Sequence, residues 1–135
     1  MSEQKKQSHS LRFRLAIPDR VGYRMVTVDV AKLDRAWQFP DNCYIGPDGS
    51  GATAGRIELF EGWLSKHSGE SILVPTVYLG DERNRVRFHD GRHRFAVLRD
   101  RGYNTIKVGV PRSQVGRFRK HFAPDVRRSS IKRKT

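Results

Sequence analysis

One short segment of the chain combines the groups that bind phosphate: Gly91, Arg92, His93 and Arg94. It follows a predicted strand over residues 85–89 and opens a predicted helix. A helix that begins at a glycine leaves free backbone N–H groups and the positive end of its dipole at the turn. Guanidinium groups there are unfavourable for an empty helix end, but they match the oxygens of a phosphate. The turn "GRHR" is therefore predicted to contact a phosphate or a nucleotide.

His93 and Arg94 are also candidate catalytic residues. Histidine titrates near neutral pH, so His93 would act as a general acid or base. The alternative is that His93 contacts a phosphate or is structural, and that the arginines form salt bridges at a solvated helix end. Asp90, which precedes the turn, is predicted to cap the helix.

A glycine-rich loop, "YIGPDGSGATAGR" over residues 44–56, is the second candidate phosphate site. It lacks the Gly-Lys-Ser/Thr sequence that ends a Walker A motif. Its candidate phosphate-binding residues are Gly49, Ser50, Gly51, Thr53 and Arg56. Alternatively, it is a surface loop in which Ser50 and Thr53 cap the following helix.

The positive charge is concentrated in the C-terminal part of the chain. Residues 83–135 contain 17 basic and 3 acidic residues, a net charge of +14, whereas residues 1–82 have a net charge of −1. Such a segment suits the nucleic-acid backbone, with binding that weakens in salt, or an acidic protein surface. The candidate nucleic-acid-binding residues are Arg117, Arg119, Lys120, Arg127, Arg128, Lys132, Arg133 and Lys134.

Aromatic residues lie among these charges at Phe88, Phe95, Tyr103, Phe118 and Phe122. Their helical or strand spacing assigns most of them to the core. No stacking platform for single-stranded nucleic acid is predicted.

No metal site is predicted, and the cofactor prediction is limited. Cys43 is the single cysteine, and His89 and His93 lie on opposite sides of a glycine turn. A nucleoside triphosphate that carries Mg²⁺ is the candidate cofactor, with Asp90 or another carboxylate nearby. Three acidic residues from position 83 onward are few for metal-dependent cleavage of DNA.

Length and composition predict one domain in the cytoplasm. A chain of 135 residues with 36% apolar residues supports a single modest core. No apolar run approaches the roughly 18 residues of a membrane span, and the first ten residues do not resemble a signal peptide. A single cysteine excludes an intrachain disulfide.

Hydrophobic periodicity predicts the elements that position these residues. Strands are expected over 11–17, 23–30, 71–79, 85–89 and 104–110, and helices over 53–66, 91–101 and 111–122. Residues 31–38 are expected to form a short helix or a turn. Pro75, inside the third strand, indicates a sheet edge or a bulge. The order predicts an α+β fold, a small single domain with a mixed β-sheet flanked by helices. The domain spans 11–122, between a flexible N-terminal arm (1–10) and a basic C-terminal tail (123–135).

The segment "DGRHRFAVLRDRGYNTIKVGVP" resembles the ParB/sulfiredoxin superfamily, in which a glycine-led turn with an arginine opens a helix and contacts phosphates. Gly91 and Arg94 match that turn directly. Arg92 or His93 stands where sulfiredoxins have their cysteine, so reduction of sulfinic acids is not expected. The resemblance implies that the 44–56 loop borders the same cleft as the turn.

Three segments in order, "YRMVTVDVAKLDRAWQ", "CYIGPDGSGATAGRIELFEGWL" and "VRFHDGRHRFAVLRDRG", resemble the plasmid fertility inhibition factors. These small ParB/sulfiredoxin-like proteins suppress conjugative transfer of other plasmids or oncogenic DNA through type IV secretion. The resemblance implies DNA or a nucleotide as ligand, a type IV secretion coupling protein as partner, and ATPase or DNase activity. The alternatives are a non-catalytic DNA-binding or nucleotide-sensing module, and an inhibitor that acts only by protein docking.

Overall fold

The computed structural model describes residues 11–39, 43–80 and 84–125. The strands are β1 (Phe13–Arg14), β2 (Tyr23–Asp29), β3 (Ile72–Leu73), β4 (Thr76–Leu79), β5 (Val86–Asp90) and β6 (Thr105–Pro111). The α-helices are α1 (Val30–Trp37), α2 (Arg56–Lys66), α3 (Arg92–Asp100) and α4 (Val115–Phe122). Short 3-10 turns lie at Ile17–Asp19, Pro47–Gly49 and Arg112–Gln114.

A four-stranded mixed sheet with the order β2–β6–β4–β5 forms the centre of the fold. β2 and β6 are antiparallel, β4 and β6 are parallel, and β4 and β5 are antiparallel. β1 and β3 form a separate parallel pair. The predicted fold class, a small single α+β domain with a mixed sheet flanked by helices, is confirmed.

One face of the sheet carries the core. Val26 and Val28 of β2 are buried, and so are their partners in β6, Val108 and Ile106. The same buried cluster includes residues of three helices: Leu33, Trp37, Phe95, Leu98, Phe118 and Phe122. The assignment of Phe95, Phe118 and Phe122 to the core is confirmed, and α1, α3 and α4 pack against the sheet through these side chains.

Trp37 links the elements that border the candidate site. Its indole ring lies 4.4 Å from the ring of Phe88 on β5 and 5.6 Å from that of Phe95 on α3. The ring of Tyr44, in the glycine-rich loop, lies 4.8 Å from it. A fully buried aromatic side chain in contact with three segments fixes their relative positions.

The predicted strand over 71–79 is divided at Pro75. Its first part pairs with β1, and its second part lies inside the main sheet between β6 and β5. The edge prediction is therefore wrong for β4, but the bulge prediction is confirmed, since the register shifts between Thr76 and Val77. Pro75 has no N–H to donate, and its carbonyl accepts from Gly109 N at 2.9 Å.

Several predicted boundaries are too wide. The strand predicted over 11–17 is reduced to β1, because Ile17–Asp19, with Pro18 inside it, forms a 3-10 turn. The helix predicted from residue 53 begins at Arg56, after Gly55 in the left-handed region at φ +82°. The N-terminal arm over 1–10 lies outside the described residues, as does the tail beyond residue 125. No helix among those described is long and apolar enough to cross a membrane.

Candidate functional site

A cavity of about 690 Å³ lies among β1, α2, β3, β5 and the start of α3. Its volume is typical of pockets that bind small molecules. The lining includes five arginines, Arg14, Arg56, Arg87, Arg92 and Arg94. Asp90 is the one carboxylate among the described residues that line it. Such an excess of positive charge in a concave site attracts anions.

Gly91 begins α3 in a conformation that other residues rarely adopt. Its φ is +83°, in the left-handed region. A Cβ atom at this position would lie 2.8 Å from Pro75 Cα and 2.8 Å from Arg94 Nη2. Glycine therefore lets the turn approach the β3–β4 connection and lets the Arg94 side chain fold back over the turn.

The Arg94 guanidinium binds the protein backbone. Its Nε donates to the carbonyl of Leu73 at 3.0 Å, and its Nη2 donates to that of Val74 at 3.4 Å. Asp90 Oδ2 lies 3.9 Å from Nη2. Burial lowers the pKa of Arg94 from its ordinary value, but an arginine remains charged at any physiological pH. Arg94 thus fastens α3 to the β3–β4 connection while it lines the cavity.

Arg92 fastens the same turn to the glycine-rich loop. Its Nη1 donates to the carbonyls of Cys43 at 3.1 Å and Gly51 at 3.3 Å. Its Nη2 donates to Thr53 Oγ1 at 3.2 Å. The loop and the turn therefore border one site, as the resemblance implied.

His93 is held as a neutral ring. Its Nε2 accepts a hydrogen bond from the backbone N–H of Thr53 at 3.0 Å, so the ring proton lies on Nδ1. Burial lowers the pKa of His93 below its ordinary value, and the nearby guanidiniums of Arg92, Arg56 and Arg94 lower it further. The atom that a general base would use is already occupied by the protein.

Asp90 does not cap α3, so that prediction is wrong. The residue at the cap position is Gly91, which has no side chain to accept from the first turn. Asp90 ends β5, and its Oδ1 accepts from Gly91 N at 2.9 Å. The carboxylate lies one residue before the cap position and bonds the N–H of Gly91 instead of an N–H group of the first turn.

The structure gathers some of the predicted phosphate-binding residues and not others. Thr53, Arg56, Gly91, Arg92, His93 and Arg94 all line the cavity. Gly49, Ser50 and Gly51 are not among the lining residues. Gly51 has a φ of +91°, and a Cβ atom at this position would lie 2.6 Å from the carbonyl oxygen of Tyr44. These three positions shape the loop, and their contact with phosphate stays a prediction.

The predicted nucleic-acid-binding residues of α4 form a separate surface. Arg117, Arg119 and Lys120 are exposed and do not line the cavity. The remaining five, Arg127, Arg128, Lys132, Arg133 and Lys134, lie outside the described residues.

Sequence reasoning missed several residues of the cavity. Arg14 comes from β1, which is distant in sequence, and no local pattern placed it with the turn. Arg87 comes from β5, which leads directly into the turn, but strand alternation did not assign it to the site. Leu59, Phe60 and Trp63 of α2 also line the cavity. Helical spacing indicates apolar residues on this helix, but the sequence does not show that part of this surface is left uncovered by the core. Within the described ranges, no three His, Cys, Asp or Glu side chains group closely enough to hold a metal ion.

Comparison with known proteins supports the fold. No family model matches the sequence, and no curated protein is similar to it. Among solved structures, the fold is similar to that of the oncogenic suppression activity protein, a plasmid fertility inhibition factor, in its gold(I) cyanide derivative. The TM-score is 0.57, with 14% sequence identity over 76% of this chain. This chain spans 57% of the length of that one.

Proposed function

We propose that this protein is a plasmid fertility inhibition factor that binds the phosphates of DNA or of a nucleotide in the arginine-lined cavity. The carrying observation is that the turn Gly91–Arg94 shares this cavity with three further arginines and a single described carboxylate. The fold likeness to a plasmid fertility inhibition factor supports the role in plasmid transfer.

Binding and catalysis are separate parts of the proposal. Arg94 and His93 both have protein partners, so each would have to exchange a partner to take part in chemistry. This arrangement favours binding as the primary activity, and nucleotidase or nuclease activity as a second one. A nucleoside triphosphate with Mg²⁺ fits the residues present, because Mg²⁺ often takes one carboxylate plus phosphate oxygens, and Asp90 would supply the carboxylate.

A second candidate function, protein docking, is favoured by the surface of α4. Arg117, Arg119 and Lys120 are exposed and are not among the residues that line the cavity. A type IV secretion coupling protein with an acidic face would be complementary to them.

The test combines a mating assay with nucleotide and DNA binding. Arg14 and Arg56 are the variants of choice, because both are exposed and line the cavity. Neither makes a side-chain hydrogen bond or ion pair within 11–39, 43–80 and 84–125. We expect Arg14→Ala/Arg56→Ala to lose phosphate binding and inhibition of plasmid transfer together. The matched control is Arg101→Ala, at the other end of α3.

Two results would contradict the proposal in different ways. A wild-type protein that leaves the transfer frequency unchanged would remove the role in fertility inhibition. A folded Arg14→Ala/Arg56→Ala protein that inhibits transfer fully would show that inhibition does not depend on the cavity. That result would favour docking through α4. Hydrolysis of nucleotide or DNA, measured on the same proteins, decides the catalytic part.

A further inference from the structure

Helix α2 carries more apolar side chains than the core covers. Ile57, Leu59, Phe60, Trp63 and Leu64 lie within its three turns, yet no residue of α2 is fully buried. Leu59 is 69% exposed and lines the cavity together with Phe60 and Trp63. A helix that packs only against a core buries its apolar stripe. The uncovered part of this stripe faces the cavity and indicates a ligand with an apolar surface.

The aromatic rings of α2 form a nearly parallel row. The rings of Phe60 and Trp63 lie 6.1 Å apart with an interplanar angle of 9°, and those of Trp63 and His67 lie 4.6 Å apart at 12°. His67 Nδ1 lies 2.9 Å from the carbonyl of Trp63, which holds the far end of the row. The rings are thus ordered before any ligand arrives.

Arg56 continues this row toward the phosphate-binding turn. Arg56, Phe60 and Trp63 follow one another at i, i+4 and i+7, so they share one face of the helix. The rise from Arg56 to Phe60 is about 6 Å at 1.5 Å per residue. The cavity wall therefore offers a guanidinium first and flat rings next, in the order in which a nucleotide presents its phosphate and its base.

We propose that an unpaired nucleobase packs against the cavity-facing aromatic surface of Phe60 and Trp63, with its phosphate bound by Arg56 beside the turn. Every base has a π face, so this contact accepts a nucleotide without reading its identity. The inference rests on the proposed function and adds the class of ligand, which is a nucleotide with a free base. The source is either a mononucleotide or one unit of a single strand. A duplex would have to extrude a base to reach the rings.

The test compares ligands that differ only in the base. One pair is adenosine monophosphate and ribose 5-phosphate, and the other is a short oligothymidylate and an abasic oligomer of the same length. We expect the ligand with a base to bind more tightly in at least one pair, by roughly 5- to 150-fold. Preference in the first pair identifies a free nucleotide, and preference in the second alone identifies a strand.

Two variants separate stacking from phosphate binding. Trp63→Leu should remove the advantage of the base, and Trp63→Phe should restore most of it, because phenylalanine keeps an aromatic face. Arg56→Ala should weaken all four ligands alike. Trp37 is fully buried, so a ligand-induced change in tryptophan fluorescence that is lost in Trp63→Phe reports on the cavity.

The outcomes distinguish this inference from the proposed function. Equal affinities within both pairs, with phosphate binding intact, would overturn base stacking and leave the phosphate site standing. No binding of any of the four ligands to the wild-type protein would overturn both. These comparisons need no variant, so they stand even where Trp63→Leu fails to fold.

Discussion

The charged side chains of the turn are held by backbone atoms from distant parts of the chain. Arg94 donates to the carbonyl of Leu73, Arg92 donates to that of Cys43, and His93 accepts from the N–H of Thr53. These bonds fix the side chains before a ligand arrives, which lowers the entropic cost of binding. A substitution of Arg94 would have two effects at once, because it would remove a positive charge from the cavity and also the hydrogen bonds to the β3–β4 connection.

His93 is predicted to make the free energy of unfolding depend on pH. Its pKa is lowered in the folded protein by burial first and by the neighbouring arginines second. The unfolded chain, with a histidine pKa of about 6.5, therefore binds the proton more readily. The free energy of unfolding should fall as the pH decreases through about 6.5 toward the lower folded-state pKa, and it should be insensitive to His93 above that window.

Urea denaturation between pH 8 and pH 5 measures this dependence. We expect His93→Gln, which keeps an uncharged acceptor for Thr53, to have a shallower pH dependence than the wild-type protein. His121→Gln is the control, since His121 is exposed on α4, and it should keep the wild-type slope. Identical slopes for His93→Gln and the wild-type protein would show that His93 does not carry the effect.

At the scale of elements, the two ends of α3 provide a matched pair of glycines. Gly91 and Gly102 have φ values of +83° and +92°. A Cβ at Gly91 would lie 2.8 Å from Pro75 Cα, whereas a Cβ at Gly102 would meet nothing within 4 Å. Both substitutions by alanine strain the backbone by about 1–2 kcal/mol. Gly91→Ala should cost a further 1–3 kcal/mol or so, because the backbone of the β3–β4 connection must move.

Chemical denaturation of Gly91→Ala and Gly102→Ala tests this difference. A loss of stability at Gly91 no greater than that at Gly102 would mean that the turn tolerates the methyl group. In that case the close packing of the turn against Pro75 would not be what requires glycine. Phosphate binding by the same two proteins should fall for Gly91→Ala and stay unchanged for Gly102→Ala.

The elements also show what the sequence could and could not reveal. β5, Gly91 and the apolar face of α3 were predictable, because strand alternation, a turn glycine and helical spacing are local signals. The partners of Arg92 lie 49 and 39 residues away, at Cys43 and Thr53, and no spacing rule brings them together. The pattern of α2 showed an apolar face, but periodicity does not tell whether protein or ligand covers it.

At the scale of the whole molecule, the described residues form two positively charged regions of different shape. The cavity is concave and combines arginines with rings, which suits one nucleotide at a time. The surface of α4, with Arg117, Arg119 and Lys120, is exposed.

Salt dependence separates the two regions. A plot of log affinity against log salt concentration has a negative slope, and each phosphate contact that is lost should make this slope shallower by about 0.7 for a single strand. Replacing Arg117, Arg119 and Lys120 by glutamine should therefore make the slope for a long oligothymidylate shallower by up to about 2. Affinity for adenosine monophosphate should stay unchanged, because it reaches only the cavity. Arg20→Gln/Lys66→Gln, which removes exposed charges from the nearly neutral part of the chain, should leave both unchanged. An unaltered slope in the α4 variant would assign that surface to a protein partner, and the mating assay would then show whether inhibition of transfer depends on it.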